Sequence, residues 1–310
     1  MVGAADGMTK RDSIVVFGDV IDDIVVVPEH AVRPDTDTVS SIRTRAGGSA
    51  ANAAAWMSSL GAQVDFVGMV GAGDAPRHAA LLESCGVTQH LAEHPSLPTG
   101  TIVVIVDGET RTMLTETGAN AALTADSVTD SMLDAAAVIH FTGYSLFGSR
   151  QRADAVRRLL VRADARGVKV SVDPGSAGFI TDFGVEHFLD TIDGATFLFP
   201  NLGEGRLLTG LDDPTAIALS LAQRFAVVAL TLDTEGVLVA VRGEGIERID
   251  ATPVTIVDPI GAGDAFAAGF LAAWVASDEA NLLARAAASA SKGVAAGALA
   301  VATIGGRPRS

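Results

Sequence analysis

Hydrophobic and polar positions follow a regular alternation along the chain from about residue 120 onward. Short apolar runs, rich in Val, Ile and Leu, alternate there with longer stretches of helical composition. The short runs predict buried strands, and the longer stretches predict helices that cover them. A repeated strand–helix–strand order therefore predicts a parallel sheet with helices on both faces.

The elements of this part can be placed on the sequence. The predicted strands are Val138–Phe141, Val168–Val172, Ala195–Phe199 and Val227–Leu232, with a hairpin of Val237–Val241 and Gly245–Ile249. The predicted helices are Arg152–Arg166, Val185–Thr191, Thr215–Arg224, Ala262–Val275 and Leu282–Gly297. Lys292 interrupts the apolar stretch Ala286–Gly306, so we expect a buried helix and a strand there and not a membrane span.

The first 120 residues contain two kinds of strand. Strands Ile14–Phe17 and Val64–Val70, with helices Ser49–Leu60 and Arg77–Cys85, fit the parallel sheet. Four further strands have no helix between them: Ile24–Val27, Thr38–Arg45, Thr101–Val106 and Arg111–Thr115, the last two joined by a hairpin turn at Asp107–Gly108. We expect these four to form a small separate sheet, which would create a cleft against the larger body.

Composition and charge exclude several classes of function. The net charge is −15 with a pI near 4.7, which opposes nucleic-acid binding because phosphate contacts need clustered Lys and Arg. The single cysteine cannot form an intrachain disulfide, which fits a reducing cytosol. Met1–Asp12 lacks the apolar stretch of a signal peptide. We therefore expect a cytoplasmic protein that binds neither nucleic acid nor membrane.

Several catalytic motifs are missing from the sequence. The tetrapeptide GAGD occurs at Gly71–Asp74 and at Gly261–Asp264, but neither copy continues into the G-x-G-x-x-G fingerprint of a dinucleotide site. No lysine follows a glycine, which excludes a standard P-loop. No H-E-x-x-H, paired-cysteine or G-x-S-x-G motif is present. A nicotinamide oxidoreductase, a dedicated zinc site and a serine hydrolase are all disfavoured.

The second GAGD segment is the most informative for chemistry. Gly261 and Gly263 lack a Cβ, so the backbone can present consecutive N–H groups to an oxyanion at the start of a predicted helix. Asp264 would lie in the first turn of that helix, where a carboxylate can take a proton from a hydroxyl. The alternative is an ordinary glycine-rich loop in which Asp264 only begins the helix.

Two more segments suit a ligand with hydroxyl groups. Gly47 and Gly48 allow a ligand to approach the backbone, and the amide of Asn52 can both donate and accept hydrogen bonds. Asn52 could instead satisfy buried backbone groups. The three aspartates of Gly18–Asp23 follow the first strand, where parallel sheets place their ligand crevice. They could bind vicinal hydroxyls, or form a solvated acidic turn.

These segments, in this order, resemble the pfkB or ribokinase-like family of carbohydrate and nucleoside kinases, from Ile14 to about Ile304. Gly47–Asn52 with Val67–Asp74 is similar to the first family signature, and Asp258–Asp264 is similar to the second. Three shorter segments also match: Pro200–Glu204 resembles the N-x-x-E motif, Thr231–Gly236 the strand and turn that meet the nucleotide, and Gly118–Leu123 a run common in ribokinases. Pro259 departs from the usual Thr.

The resemblance implies a fold class and a domain organisation. It implies an α/β protein with a three-layer α/β/α ribokinase-like body, a mostly parallel central sheet and a small β-sheet lid. We assign residues 12–23, 46–98 and 119–310 to the body that binds nucleotide and substrate. Residues 24–45 and 99–118 are assigned to the lid, and residues 1–11 to a flexible leader. The exposed lid edges could pair two copies into a homodimer.

The resemblance also implies phosphoryl transfer from ATP with Mg²⁺ to a primary alcohol. It implies Asp264 as general base, with Gly261, Ala262 and Gly263 holding the phosphoryl oxygens. Substrate hydroxyls would contact Asp23, Gly47, Gly48 and Asn52. The nucleotide would meet Asn201, Glu204, Thr231, Gly236 and Gly263, with Asn201 and Glu204 arranging magnesium largely through water. A monovalent cation could be a further cofactor.

Two departures from the ribokinase sequences narrow the range of candidate acceptor substrates. His140–Tyr144 lies where ribokinases carry a carboxylate that touches ribose, which puts ribose itself in doubt. The lid strands carry aliphatic side chains and no aromatic ones, so they predict no stacking surface for a base. We therefore expect a small sugar of ribose-, fructose- or sugar-acid type. The alternatives are a nucleoside kinase of the same family and a catalytically silent sugar- or nucleotide-binding protein on the same fold.

Overall fold

The fold was described from a computed structural model, which covers residues 11–107 and 110–308. Residues 1–10 of the predicted leader lie outside this range, as does Gly108 of the predicted hairpin turn. The structure contains two sheets, one of nine strands and one of four. We call the larger sheet with its helices the body and the smaller sheet the lid.

The bounds of the elements follow the chain. The body strands are β1 (Ser13–Phe17), β4 (Gln63–Gly71), β5 (Thr88–His94), β8 (Ala136–Thr142), β9 (Lys169–Asp173), β10 (Phe197–Leu198), β11 (Val227–Thr231), β12 (Val237–Val241) and β13 (Gly245–Ile249). The lid strands are β2 (Ile21–Pro28), β3 (Ser40–Gly47), β6 (Gly100–Asp107) and β7 (Thr110–Glu116). The helices are α1 (Ser49–Ser59), α2 (Ala75–Glu83), α3 (Asp130–Ala135), α4 (Arg150–Asp164), α5 (Ala177–Phe183), α6 (Val185–Thr191), α7 (Leu202–Thr209), α8 (Pro214–Leu221), α9 (Ala262–Ala276) and α10 (Leu282–Val301).

The body sheet has the order β13-β12-β11-β10-β9-β8-β1-β4-β5. All pairs from β11 to β5 are parallel, and β12 and β13 add an antiparallel hairpin at one edge. Helices α3 to α8 pack on one face, and α1, α2, α9 and α10 pack on the other. The predicted three-layer α/β fold with a mostly parallel sheet is therefore confirmed.

The first strand shows why its sequence is apolar at every position. Val15 and Phe17 belong to the core on one face of the sheet, while Ile14 and Val16 belong to the core on the other face. A strand covered on both faces cannot alternate between apolar and polar residues. The same double burial explains the apolar runs in the central strands.

The lid has the strand order β3-β2-β6-β7. β2 pairs antiparallel with β3 and parallel with β6, and β6 pairs antiparallel with β7. The separate small sheet predicted from the sequence is thus present. The domain boundaries drawn through it remain a prediction.

The C-terminal helix corrects one prediction. α10 runs without interruption to Val301, and turns follow it up to residue 307, so the strand expected within Ala286–Gly306 is wrong. Small side chains on α10 pack against α9, which keeps this apolar segment helical and buried. Within the two described ranges no helix is long and apolar enough to cross a bilayer.

Candidate active site

A cavity of about 1400 Å³ lies where the carboxyl ends of the body strands face the lid. Five of its lining residues stand at the end of a body strand or soon after it: Asp19, Tyr144, Asp173, Asn201 and Thr231. The lid contributes Ile102, Val104, Met113 and Thr115. Because parallel strands end at a common edge, the fold gathers residues from distant parts of the chain.

Asp264 lies in the first turn of α9 and lines this cavity. Aromatic packing anchors the helix, since the Phe270 ring contacts the Phe199 ring with centroids 4.9 Å apart. Both carboxylate oxygens accept hydrogen bonds from α1. Ser49 Oγ donates to Oδ1 at 2.5 Å, and Asn52 Nδ2 donates to Oδ2 at 3.1 Å. These bonds fix the orientation of the carboxylate.

The surroundings of Asp264 change its acidity. Its pKa is raised to about 8, chiefly because burial penalises the charged form. The hydrogen bonds from Ser49 and Asn52 lower it, and the nearby carboxylates of Asp173 and Asp19 raise it. A carboxylate whose pKa lies near neutral pH is well matched to accept a proton from an alcohol.

The segment of Gly261, Ala262 and Gly263 lines the cavity beside Asp264. Gly261 has a φ of 81°, and a Cβ there would lie 2.6 Å from the Cα of Gly306, so only glycine fits. The start of the 15-residue helix α9 points backbone N–H groups outward, although Ala262 N–H already donates to the Pro259 carbonyl at 3.3 Å. This arrangement can hold the oxygens of a phosphoryl group.

Asp19 caps the N-terminus of helix α1. Its carboxylate accepts from the backbone N–H groups of Ser49 and Ala50, at 2.9 and 3.1 Å. The N-cap residue of α1 is Gly48, which has no side chain that could accept a hydrogen bond. Asp19, which is distant in sequence, therefore caps the helix in its place. Gly48 and Asn52, two of the residues predicted to bind substrate, both line the cavity.

Asp22 and Asp23 have different surroundings. Asp22 forms a two-bond ion pair with Arg77, with N···O distances of 2.8 and 2.6 Å, and does not line the cavity. Asp23 lines the cavity, and burial raises its pKa to about 6. Gly47 does not line it, but a Cβ there would lie 2.2 Å from a carboxylate oxygen of Asp23. Glycine at position 47 therefore leaves the space that Asp23 occupies.

Asn201 and Glu204 form a capping box at the start of α7. Glu204 N–H donates to Asn201 Oδ1, and Asn201 N–H donates to Glu204 Oε2, both at 2.9 Å. Thr231 lines the cavity with them and is bridged to Asn201. Gly236 is not among the lining residues, because it is buried where a Cβ would meet the Ile249 carbonyl at 2.1 Å. The cavity thus gathers the predicted nucleotide-binding residues except Gly236.

A second carboxylate stands beside Glu204. Burial raises the pKa of both Asp173 and Glu204, and the charge of Glu204 raises that of Asp173 further. A divalent cation between them would relieve this repulsion. No group of three or more His, Cys, Asp or Glu suited to a metal occurs in residues 11–107 and 110–308. Two carboxylates fit Mg²⁺, which commonly takes its remaining ligands from water and phosphate.

Aromatic side chains of the body line another part of the cavity. These are Tyr144, Phe147, Phe179 and Phe183. The rings of Phe147 and Phe179 are stacked with an interplanar angle of 13° and centroids 5.4 Å apart, and Tyr144 meets Phe179 edge-on at 5.7 Å. Phe179 is 40 % exposed, so its ring is accessible. The aliphatic lid predicted no stacking surface, but the body supplies one.

Three site residues were missed from the sequence. Ser49 lies three positions before Asn52 at the same helix start, so its neighbourhood was a usable signal. Asp173 ends a predicted strand of a parallel sheet, a position typical of ligand contact. Arg307, which contacts Asn52, follows the last predicted element, and no motif or pattern in the sequence indicated that it lies near the site.

Comparisons with known proteins agree with this geometry. The family model described as pfkB family carbohydrate kinase matches residues 11–309. The ATP-dependent ribose-1-phosphate kinase of Halopiger xanaduensis is 30 % identical over 257 residues, 78 % of this chain and 78 % of that protein. The adenosine kinase of Sinorhizobium meliloti superposes with a TM-score of 0.83 at 25 % identity, covering 96 % of both chains.

A further solved structure supports the fold alone. A protein of E. coli provisionally assigned as ribokinase II, solved with ATP and Mg²⁺, has a TM-score of 0.83 at 22 % identity and covers 95 % of this chain and 94 % of its own. The resemblance drawn from the two signatures is thereby confirmed. By its family match and its fold, this chain belongs to the pfkB family of carbohydrate kinases, which are phosphotransferases with an alcohol group as acceptor.

Proposed function

We propose that the chain transfers the terminal phosphoryl group of ATP to a primary hydroxyl of a small sugar, of ribose-, fructose- or sugar-acid type. The observation that carries this proposal is the placement of Asp264. Its carboxylate stands at the mouth of α9, next to backbone N–H groups, and is oriented by Ser49 and Asn52. A base and an anion-binding backbone on one wall of a cavity are what transfer to an alcohol needs.

Each part of the cavity has a role in this proposal. Asp23 and Asn52 bind sugar hydroxyls, and Asp264 accepts the proton of the hydroxyl that attacks. The N–H groups of the 261–263 segment stabilise the charge on the transferred group. Closure of the lid would exclude water, which competes with the sugar as acceptor.

Asn201, Glu204 and Thr231 lie where the nucleotide would bind, by the resemblance. Magnesium, when bound, neutralises phosphate charge, and Asp173 and Glu204 are the residues suited to hold it. ATP as donor is supported by the Halopiger relative, an ATP-dependent kinase, and Mg²⁺ by the buried pair of carboxylates.

Substitution of Asp264 by Asn tests the assignment of the base. The substitution keeps the shape of the side chain but removes its ability to accept a proton, so turnover should fall by at least about 100-fold. Binding of ATP, measured by calorimetry, should persist. The matched control is Asp212→Asn, which changes a fully exposed aspartate. Near-normal turnover of the Asp264→Asn protein would defeat the assignment.

A nucleoside is the second candidate acceptor, and the aromatic residues of the cavity favour it. Stacked rings such as Phe147 and Phe179 offer a face to a planar base. The Sinorhizobium neighbour is named an adenosine kinase. Phe179→Ala separates the candidates: it should raise KM for a nucleoside several-fold and change KM for a free sugar much less, because stacking is worth roughly 1–3 kcal/mol for a base.

A panel of acceptors decides the substrate. It should contain free sugars, sugar acids, nucleosides and ribose 1-phosphate, the last because of the name of the Halopiger relative. Turnover is followed as ADP formed with Mg²⁺ present. Absence of turnover on every compound, with ATP binding intact, would favour the catalytically silent alternative.

We also propose a cytoplasmic homodimer that associates through the lid. The lid carries exposed aliphatic side chains, among them Val27 and Ile42. Sedimentation equilibrium gives the mass directly, and Ile42→Glu should shift a dimer toward monomer because it would bury a charge in the contact. A wild-type protein that is monomeric at micromolar concentration contradicts this proposal.

A further inference from the structure

The turn after α10 contacts both α1 and the loop that precedes α9. Gly305 N–H donates to Asp258 Oδ2 at 3.1 Å, and Asp258 Oδ1 accepts from Ile260 N–H at 3.2 Å, just before the anion-binding segment. Trp56 Nε1 on α1 donates to the Gly306 carbonyl at 2.9 Å. This turn therefore connects α1, which orients the base, with the loop that begins α9.

Arg307 extends the same turn into the site. Its Nη2 donates to the Gly47 carbonyl at 3.1 Å, and its Nε donates to Asn52 Oδ1 at 3.4 Å. Its Nη1 is buried and has no hydrogen-bond partner among the residues that the structure describes. A largely buried guanidinium is costly unless it makes useful contacts. Here its two contacts are the end of lid strand β3 and the amide that faces the base.

The chemistry of these groups allows only one orientation of Asn52. A guanidinium can only donate, so the side of the amide that faces Arg307 must be its oxygen. The side that faces Asp264 is then the NH₂ group, which donates to Asp264 Oδ2 at 3.1 Å. Arg307 and Asp264 thus hold the amide from its two ends, and reversing it would break both hydrogen bonds.

We propose that Arg307 is a positioning residue for phosphoryl transfer: through the amide of Asn52 it holds the carboxylate of Asp264 in the direction needed to take the proton of the acceptor. The inference rests on the proposed function of Asp264. Arg307 does not touch the reacting atoms and does not line the cavity. Loss of the guanidinium frees Asn52 to rotate, and Asp264 then loses one of its two donors.

The charge of Arg307 has a second effect on the acceptor side. It lowers the pKa of Asp23, which burial and the neighbouring Asp19 and Asp22 raise, with Arg45 also lowering it. Arg307→Gln removes both the charge and the paired donors. Arg307→Lys keeps the charge but cannot donate to Gly47 and Asn52 with the planar geometry of a guanidinium. The two variants therefore separate the charge from the positioning.

Kinetic measurements on these variants test the proposal. We expect Arg307→Gln to lower kcat by roughly 10- to 100-fold, because small misplacements of a catalytic group have effects of this size. KM for ATP should stay near the wild-type value. Arg307→Lys should recover only part of kcat. In the double variant Arg307→Gln/Asn52→Ala, kcat should be no lower than in the weaker single variant, because both changes break one chain of contacts.

Arg285→Gln is the matched control. Arg285 lies on α10, the helix that precedes this turn, stacks on Trp274 with its guanidinium carbon 4.3 Å from the ring centroid, and donates to the Trp274 carbonyl. Its loss should lower Tm without changing kcat. If Arg307→Gln behaves like Arg285→Gln, or if its effect on kcat multiplies with that of Asn52→Ala, Arg307 has only a structural role and the proposal is overturned.

A readout without turnover keeps this test separate from the proposed function. In protein labelled with ¹⁵N-asparagine, the side-chain NH₂ resonances of Asn52 can be followed by NMR. We expect them to shift and broaden in Arg307→Gln and to be unchanged in Arg285→Gln. Unchanged Asn52 resonances in Arg307→Gln would overturn the positioning role even if the kinase proposal holds. Shifted resonances in a protein that phosphorylates nothing would leave the contact standing and reject the kinase proposal.

Discussion

The body around Asp264 and the lid differ in how firmly they are packed. Eight of the eleven residues of α1 are buried, and the base receives both of its donors from that helix. In the lid, β7 has almost every side chain exposed, with Met113 and Leu114 each 57 % exposed. The body therefore fixes the geometry of the base, whereas the lid can adjust its position around an acceptor.

This contrast follows from how the two sheets are covered. The body sheet has helices on both faces, so its strands and the loops after them are held by two cores. The lid has one face toward the cavity, and among residues 11–107 and 110–308 no helix covers its other face. Segments with few buried apolar contacts open at a lower free-energy cost. This difference in packing means that substitutions in the body should alter the catalytic step, whereas substitutions in the lid should alter the choice of acceptor.

Phe270→Ala and Leu114→Ala should give the largest contrast between the two regions. Phe270 is fully buried beside Phe199 and Trp274, so its truncation should lower the free energy of unfolding by about 3–5 kcal/mol. Leu114 is mostly exposed, and its truncation should change that free energy by less than about 0.5 kcal/mol. Urea titration measures both. Equal losses would show that the lid is as firmly packed as the body.

The pH dependence of the reaction should report the ionisation of Asp264 in the body. Because the pKa of Asp264 is raised to about 8, the base is increasingly protonated below that pH. We expect kcat/KM to fall by about 50-fold between pH 8 and pH 6, because half of a single base is ionised at its pKa and only about one hundredth two pH units below it. The residual activity of Asp264→Asn should lose this dependence. A wild-type profile that is flat over this range would contradict the assignment.

The raised pKa of Asp264 affects stability and activity in opposite directions as the pH changes. The folded-state pKa of Asp264 lies above its ordinary value of 3.8, so the folded protein binds the proton more tightly than the unfolded chain does. Its contribution to stability is therefore present at low pH and is lost as the pH rises toward about 8. Activity and stability make opposite demands on this carboxylate. The Tm of Asp264→Asn, relative to wild type, should rise between pH 5 and pH 8.

Met113→Ala should give the smallest effect and the one most specific to the lid. Met113 lines the cavity from β7 but contacts none of the groups that orient the base. We expect KM for the acceptor to rise by roughly 3- to 10-fold, the scale of a lost methylene-sized contact or two, while kcat stays within about twofold. Steady-state kinetics at saturating ATP measure the split. A drop in kcat without a change in KM would mean that the lid also positions the reacting groups.

The elements with continuous apolar runs were predicted well, and polar or interrupted ones were not. β1 and β11 follow the predicted bounds closely because double burial makes every position apolar. β5 was missed because it is an edge strand of sequence TQHLAEH with largely polar, half-exposed residues. The strand expected over Ala195–Phe199 contains only Phe197 and Leu198 in the sheet. The pattern of hydrophobic and polar residues reflects burial, so it does not reveal elements at the margin of the core.

In the candidate active site, the sequence motifs identified the segments that contain Asp264 and its neighbours, but not the contacts that distant residues make with them. Local sequence was sufficient to place Asp264, Asn52 and Glu204 as candidates, since each belongs to a short motif. Asp173 and Arg307, which stand 91 positions before and 43 positions after Asp264, became visible only when the fold brought them to those motifs. Spacing in the sequence carries no information about such pairings. Gly236 shows the converse, because it belongs to a matching segment and yet packs against the backbone of Ile249 without lining the cavity.

The capping box at the start of α7 affects how mutations there must be interpreted. One oxygen of Glu204 is committed to the backbone of Asn201, so the same side chain starts a helix and offers charge to a cation. An alanine at position 204 would remove both functions at once, and slow turnover could then reflect an unwound helix end. A glutamine preserves the acceptor oxygen and removes only the charge, so it is the replacement that can reveal metal dependence.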